Sequence, residues 1–200
     1  MVSSHPRARL RPPPELHGHG LFLRPWDPES PADAETWLRG TTDPEFRRWN
    51  TLLRPVTGFA SARESLRVRA AQTADGTGVS FHVADADSGT ALGHVGVTGI
   101  RPALCCGRVG HWVLPEARGR GVATRALLLT AEWALTAGGL HRLELEHAVG
   151  HTASCRIADR CGFLVEGTLR DAMFAPDRRD AYRDAHLHAR LTTDPLPPAP

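Results

Sequence analysis

Between residues 79 and 135 the apolar residues of this chain change period, and that change restricts the folds open to it. Val79 to Ala84, Ala91 to Ile100 and Arg108 to Leu114 are short strand-forming runs. Asp85-Ala86-Asp87-Ser88-Gly89 is turn chemistry, while Arg101-Pro102 and Pro115 stop the second and third runs. Three strands with short connections predict an antiparallel meander. Directly afterwards Ala123, Ala126, Leu127, Thr130, Ala131, Ala134 and Leu135 recur at helical spacing, and Gly138-Gly139 supplies a stop. A meander feeding a helix is not a βαβ unit, so a dinucleotide-binding fold of that kind is excluded.

The flanking segments complete a mixed α+β order. Leu21-Phe22-Leu23-Arg24 reads as a first strand stopped by Pro25. Ser30 and Pro31 open a helix that the pattern carries to Arg39, with Gly40 as its end. A second helical run spans roughly Phe59 to Ala71. Leu143, Leu145 and His147 alternate with Glu144 and Glu146 as in a strand, and Ser154, Ile157, Ala158 and Cys161 return to helical spacing before Gly162. Phe163-Leu164-Val165 opens a further strand and Tyr182 to Leu191 supplies the last. The expected organisation is a flexible Pro/His/Arg-rich arm over residues 1–20, one domain over 21–192, and a disordered Pro-rich tail over 193–200.

Composition excludes several function classes. No apolar run reaches the roughly 20 residues of a membrane span, and the N-terminus lacks a secretory core, so a cytoplasmic protein away from membranes is expected. The net charge is +2 with both signs interspersed, unlike the concentrated basic stripe of a nucleic-acid binder. All 24 basic residues are Arg, which fits a GC-rich codon bias. Cys105, Cys106, Cys155 and Cys161 show no C-x-x-C spacing, so free thiols and no metal are expected.

The chemistry concentrates in Arg118-Gly119-Arg120-Gly121-Val122-Ala123, between the third meander strand and the helix. Glycine allows close backbone approach, so successive N–H groups can turn toward one anion. The first turn of the helix adds unpaired donors and a positive dipole end. Arg118 and Arg120 can add charge-assisted contacts. The Lys-Ser/Thr pair of a Walker loop is absent.

Arg118-x-x-Gly121-x-Ala123 resembles the acyl-CoA pyrophosphate loop of the GNAT acetyltransferases. Leu21-Phe22-Leu23-Arg24-Pro25, Gly93-His94-Val95-Gly96-Val97 and Gly110-His111-Trp112-Val113-Leu114-Pro115-Glu116 are similar to strands of the RimJ/RimL-like branch, where Tyr-Trp is commoner than His-Trp. Ala153-Ser154, Cys161-Gly162-Phe163 and Glu166-Gly167 resemble the closing helix and strand, so the likeness covers Leu21 to Leu191. It implies a mostly antiparallel twisted sheet of about 6–7 strands, helices on both faces, and fourth and fifth strands that splay apart. It implies acetyl-CoA as co-substrate, with pantetheine on the backbone of Trp112, Val113 and Leu114. The pyrophosphate would rest on Arg118, Gly119, Arg120, Gly121, Val122, Ala123 and Thr124.

The implied reaction is direct attack of a primary amine on the thioester. Ser154 matches the family Ser that protonates the departing thiolate, and helix capping is its bland alternative. His151 stands where the family has Asn, as a coenzyme contact or a solvated loop residue. His111 is a candidate base, with His94 as a weaker one, although either can be a core histidine. Glu146, with Glu144 on the same strand face, can attract a cationic amine or serve as base, or only form ion pairs. Trp26, Trp37 and Trp49 lie where an acceptor wall is expected. The acceptor is a protein N-terminus or a small amine such as a polyamine or antibiotic, and a homodimer is admissible. The competing class is a non-catalytic acyl-CoA-binding regulatory module.

Overall fold

A computed structural model describes residues 15–197. Most of the expected arm lies outside these residues, but its end is not an arm. β1 (Leu16–Gly18) pairs antiparallel with β2 (Leu21–Pro25), with Leu16 opposite Leu23 and Gly18 opposite Leu21. The two linking residues, His19 and Gly20, have φ of 54° and 70°, the left-handed pair that a tight hairpin turn requires. β3 (Val79–Asp85), β4 (Ala91–Arg101) and β5 (Cys106–Val113) form the expected meander. β6 (Arg142–Ala148), β7 (Leu164–Phe174) and β8 (Tyr182–Leu191) complete an eight-stranded sheet in the order β1-β2-β3-β4-β5-β6-β8-β7. The extra hairpin strand raises the count above the expected 6–7 and makes the splayed pair β5 and β6.

Among the described residues β5 and β6 are the one parallel pair, because the helix between them carries the chain back across the sheet. Their pairing covers only Cys106–Arg108 against Arg142–Glu144. Beyond it β5 runs on to Val113 and β6 to Ala148 without each other, so the sheet opens there.

α1 (Pro31–Thr42) starts as expected, with Ser30 accepting from the Asp33 N–H. The buried Asp33 carboxylate takes both Arg24 amino groups at 2.7 Å and the Asp27 N–H at 2.8 Å, which fixes α1 to the end of β2. The helix does not end at Gly40. It runs on to Thr42, and residue 40 is glycine because the Trp112 indole presses against the helix there: a Cβ would lie 2.3 Å from the ring. Asp43 then caps α2 (Pro44–Trp49), a short helix with no buried residue and no apolar period to announce it. α3 (Phe59–Ala74) runs three residues past its expected end.

α4 (Val122–Leu135) and α5 (Thr152–Arg160) cover the other face of the sheet. Phe81, Val95 and Leu145 pack there with Leu127, Ala131 and Phe163, all at most 2% exposed. Each of these side chains other than Ala131 contributes about 1.5–3 kcal/mol on burial. A smaller aromatic core of Trp26, Trp37, Trp112 and Leu66 lies under α1 and α3. After β8 the Leu191 N–H donates to the Asp194 carboxylate at 2.8 Å, and residues beyond 197 lie outside the described ones. Among the described residues no helix is long and apolar enough to cross a membrane.

Candidate active site

The opening between β5 and β6 leads into a cleft of about 450 Å³. One wall is the end of β5. The Leu114 N–H donates to the Leu92 carbonyl at 2.9 Å, and the Leu114 carbonyl accepts from Ala117 at 2.9 Å. Backbone groups alternate sides along an antiparallel ladder, so Leu114 and Trp112 turn theirs toward β4 while His111 and Val113 turn theirs into the opening. Of the three residues expected to offer backbone groups, Val113 turns its own toward the opening, and its carbonyl already accepts from Arg118 Nε at 3.2 Å. Trp112 lines the cleft without doing so, and Leu114 is fully buried and outside it. His111 was not expected in that backbone role.

The floor is the loop before α4. Gly119 and Gly121 have φ of 72° and 70°, conformations that side-chain-bearing residues rarely adopt. No side chain caps α4 at Gly121. The first backbone bond of the helix runs from Arg125 to Gly121 at 3.1 Å, so the N–H groups of Val122, Ala123 and Thr124 precede it. Gly119, Gly121, Val122, Ala123 and Thr124 all line the cleft. Arg118 lines it too, but its guanidinium is engaged. It donates to the Val113 carbonyl at 3.2 Å and pairs with Asp43 at 2.5 Å. Burial raises the Asp43 carboxyl, yet Arg118 and the Phe46 N–H hold it below its usual value. Arg118 thereby braces the loop against the cap of α2. Arg120 does not line the cleft.

The opposite wall comes from α5 and α2. His151 is the N-cap residue of α5, and Ser154 stands three residues on. Ser154 is 6% exposed and does not cap the helix. Its Oγ lies 3.0 Å from His151 Nδ1. His151 stacks flat on Trp49, with centroids 4.4 Å apart and planes 3° from parallel. Burial, with help from His147, pushes the His151 imidazole down to about 4. Burial also pushes His111 down to about 4, and its Nδ1 has no hydrogen-bond partner. Both rings are therefore neutral at physiological pH. Glu45, Phe46 and Asn50 of the α2 region and Arg156 and Arg160 of α5 complete the lining. Sequence reasoning missed these, although Asp43-Pro44-Glu45 is an N-cap and first-turn signature.

Other candidates fall elsewhere. Glu146 pairs with Arg108 at 3.0 Å and does not line the cleft. Glu144 is held by Arg101 at 2.9 Å and Arg142 at 3.0 Å where β5 and β6 still pair. His94 Nδ1 lies 3.1 Å from the Phe81 carbonyl and 3.3 Å from the Trp26 indole nitrogen, away from the cleft, and burial pushes it down to about 3, so it is a core histidine. Trp26 and Trp37 are core residues, which leaves Trp49 as the aromatic wall. A larger depression, about 660 Å³, opens between residues 51–56 and α3. It includes none of the Gly-rich loop, Ser154 or the histidines, so the smaller cleft is the candidate site.

Residues 20–164 match the family described as Acetyltransferase (GNAT) domain. The ribosomal-protein-serine acetyltransferase of Escherichia coli (strain K12) is 30% identical over 100 residues, 50% of this chain and 54% of that protein. The chain thus spans about half the length of that curated relative. RimL, a ribosomal L7/L12 alpha-N-protein acetyltransferase solved in complex with coenzyme A, has the same fold. Its TM-score is 0.79 at 19% identity, over 90% of this chain and 99% of its own. RimJ of Mycobacterium smegmatis, solved in complex with CoA-disulfide, gives 0.75 at 25% identity, over 86% of this chain and 81% of its own. The Gly-rich loop, the open β5–β6 seam and these matches together place this chain in the GNAT acetyltransferase family, within its RimJ/RimL-like branch.

Proposed function

We propose that this protein transfers an acetyl group from acetyl-CoA to the N-terminal amine of a protein. The observation that carries the reading is the continuity of the cleft. It runs from the Gly119–Thr124 loop, along the unpaired edge of β5, to Ser154 and His151. A pantetheine arm fits that edge as an added strand, bonding His111 and Val113 backbone groups that have no partner strand. The pyrophosphate meets the free N–H groups of Val122, Ala123 and Thr124, with Arg156 and Arg160 adding positive charge.

The thioester then lies between His111 and Ser154. The amine enters past Trp49 and Glu45, attacks the carbonyl carbon, and the C–S bond breaks. His111, neutral and with a free Nδ1, takes the proton that the nitrogen sheds. Ser154 gives its hydroxyl proton to the sulfur, water entering the cleft returns a proton to the serine oxygen, and neutral His151, with Nδ1 3.0 Å away, holds the hydroxyl in place. Holding the reactants in line supplies much of the acceleration. The protein N-terminus is favoured by the Escherichia coli relative, which acts on ribosomal-protein serine, and by RimL, an alpha-N-protein acetyltransferase.

The test is thiol release from acetyl-CoA over three acceptor sets: peptides with free N-termini, polyamines and aminoglycosides. Turnover of peptides but not of N-blocked peptides supports the reading. Turnover only of polyamines or aminoglycosides moves the acceptor to small amines. Acetyl-CoA binding without turnover in any set would make the chain a binding module.

A further inference from the structure

Beside the cleft, on the far side of the α5 N-terminus, four ligand-type side chains converge. His147 of β6 lies directly opposite His186 of β8, and His188 follows two residues on, on the same face of the strand. Cys155, in the first turn of α5, sits over them. One atom from each, His147 Nε2, Cys155 Sγ, His186 Nδ1 and His188 Nε2, lies within 4.8 Å of all the others. We propose that these four residues form a closed tetrahedral site for a zinc-class divalent cation that ties α5 to β6 and β8.

Three observations support the site. The first is spacing. Zinc bonds of about 2.0 Å to nitrogen and 2.3 Å to sulfur give tetrahedral edges of about 3.3 Å between nitrogens and about 3.6 Å from nitrogen to sulfur. His147 Nε2 and His188 Nε2 stand 3.2 Å apart. Cys155 Sγ lies 3.4 Å from His147 Nε2, 3.5 Å from His186 Nδ1 and 3.9 Å from His188 Nε2. The second is tautomer. His147 Nδ1 faces the Ala148 carbonyl at 3.0 Å, and His188 Nδ1 faces the Phe163 carbonyl at 3.5 Å. A carbonyl only accepts, so the 3.0 Å contact puts the hydrogen of His147 on Nδ1 and leaves its Nε2 lone pair facing the cluster; with the same tautomer at His188, the two Nε2 lone pairs would face each other. Two buried lone pairs at that distance repel unless a cation or a proton lies between them. Outer hydrogen bonds of this kind also orient histidine ligands. The third is ligand class. One thiolate and three imidazoles suit zinc or cobalt and are wrong for magnesium or calcium.

Four protein ligands leave no open position for water, so the role is structural. On binding, Cys155 loses its thiol proton to solvent as the metal–sulfur bond forms, while the imidazoles bind neutral. One proton is released per ion. Ser154 precedes Cys155, so the clamp also holds the hydroxyl that faces the cleft. Cysteine spacing gives no sign of such a site, and no metal was expected, because these ligands come from two strands and a helix and no C-x-x-C pair marks them.

The test uses the untagged full chain, with metal measured by elemental analysis. After chelation, Co²⁺ is titrated into the natural chain, Cys155→Ser and His186→Ala. Cys155 and His186 are only partly buried, so these variants are expected to fold, and far-ultraviolet circular dichroism checks it. The expected result is about one zinc per chain and a thiolate-to-cobalt charge-transfer band with tetrahedral visible bands. The charge-transfer band disappears in Cys155→Ser, zinc falls well below one equivalent in both variants, and chelation lowers the Tm of the natural chain only. The proposal is overturned by failure to hold zinc after loading, by a charge-transfer band that survives in Cys155→Ser, or by a Tm that responds to pH but not to chelator, which a shared proton would give. None of these readouts depends on acetyl transfer.

Discussion

Gly40 lies inside α1, where glycine ordinarily weakens a helix by about 1 kcal/mol relative to alanine. Helix propensity alone therefore expects Gly40→Ala to stabilise the protein. Packing gives the opposite sign. A Cβ at residue 40 would stand 2.3 Å from Cη2 and Cζ3 of Trp112 and 2.6 Å from Cε3. Carbon atoms rest at about 3.5–4.0 Å, so the helix or the indole must move by more than about 1 Å. The indole has little room, since Trp37, His94 and Trp26 hold it at centroid distances of 5.8, 5.6 and 6.2 Å. Overpacking of this kind costs about 1–3 kcal/mol and occasionally more. At the upper end, less the propensity gain, the net loss is about 2 kcal/mol. At about 2–4 °C per kcal/mol for a domain of this size, Tm falls by roughly 4–8 °C. Calorimetry should compare Gly40→Ala with Gly110→Ala in β5, where a Cβ meets nothing within 4 Å and no loss is expected. Trp112 also lines the cleft, so acetyl-CoA should bind Gly40→Ala more weakly. A Gly40→Ala protein that melts at or above the natural chain would refute the packing argument.

Gly121→Glu places a carboxylate where the pyrophosphate is proposed to sit, at a φ of 70° that glutamate adopts only with strain; acetyl-CoA should bind roughly a hundredfold more weakly by calorimetry, and unchanged affinity would remove the loop from coenzyme binding. Ser154→Ala removes the proposed thiolate donor but no cap, so kcat should fall about a hundredfold with the KM for acetyl-CoA within about twofold; an unaltered kcat would end that role. Burial pushes His82 down to about 4 and His94 to about 3, against 6.5 for an unburied imidazole, so between pH 6.5 and about 4 these two rings take up protons mainly in the unfolded chain. Stability is therefore complete above pH 6.5 and falls as the pH drops toward 4, by about 4 kcal/mol at pH 5 for the two rings together. Denaturant titrations that give equal stability at pH 7.5 and pH 5 would contradict that burial.

Much of the fold could be read before the structure because period and punctuation agree along the chain. The meander from Val79 to Val113 and the helix after Gly121 each carry their own pattern and stop signals. The exceptions have local causes. Gly40 looked like a helix end because its reason for being glycine is an indole 72 residues away. α2 has six residues and buries none of them, so no apolar stripe marked it, and its contributions to the cleft were missed with it. Glu146 shares a strand with His147 and alternates with it, yet its charge is taken up by Arg108, which sequence spacing does not reveal.

The site itself was legible where backbone geometry makes it and illegible where side chains meet across elements. The crossover from β5 through α4 to β6 joins neighbouring strands and so forces one parallel seam, among the described residues, in an otherwise antiparallel sheet. That seam keeps three paired residues and then opens, leaving the His111 backbone groups and the Val113 N–H without a strand to bond, while Arg118 takes the Val113 carbonyl. Unpaired backbone in a cleft is costly unless water or a ligand satisfies it. Under the proposed function the coenzyme arm takes the place of the missing strand, and the glycines at 119 and 121 let the same chain turn its next N–H groups toward the pyrophosphate. Both properties follow from chain direction and residue type, so a loop of six residues could announce them. The histidines at 147, 186 and 188 have no such signature. They meet Cys155 only because α5 folds back over the β6–β8 ladder.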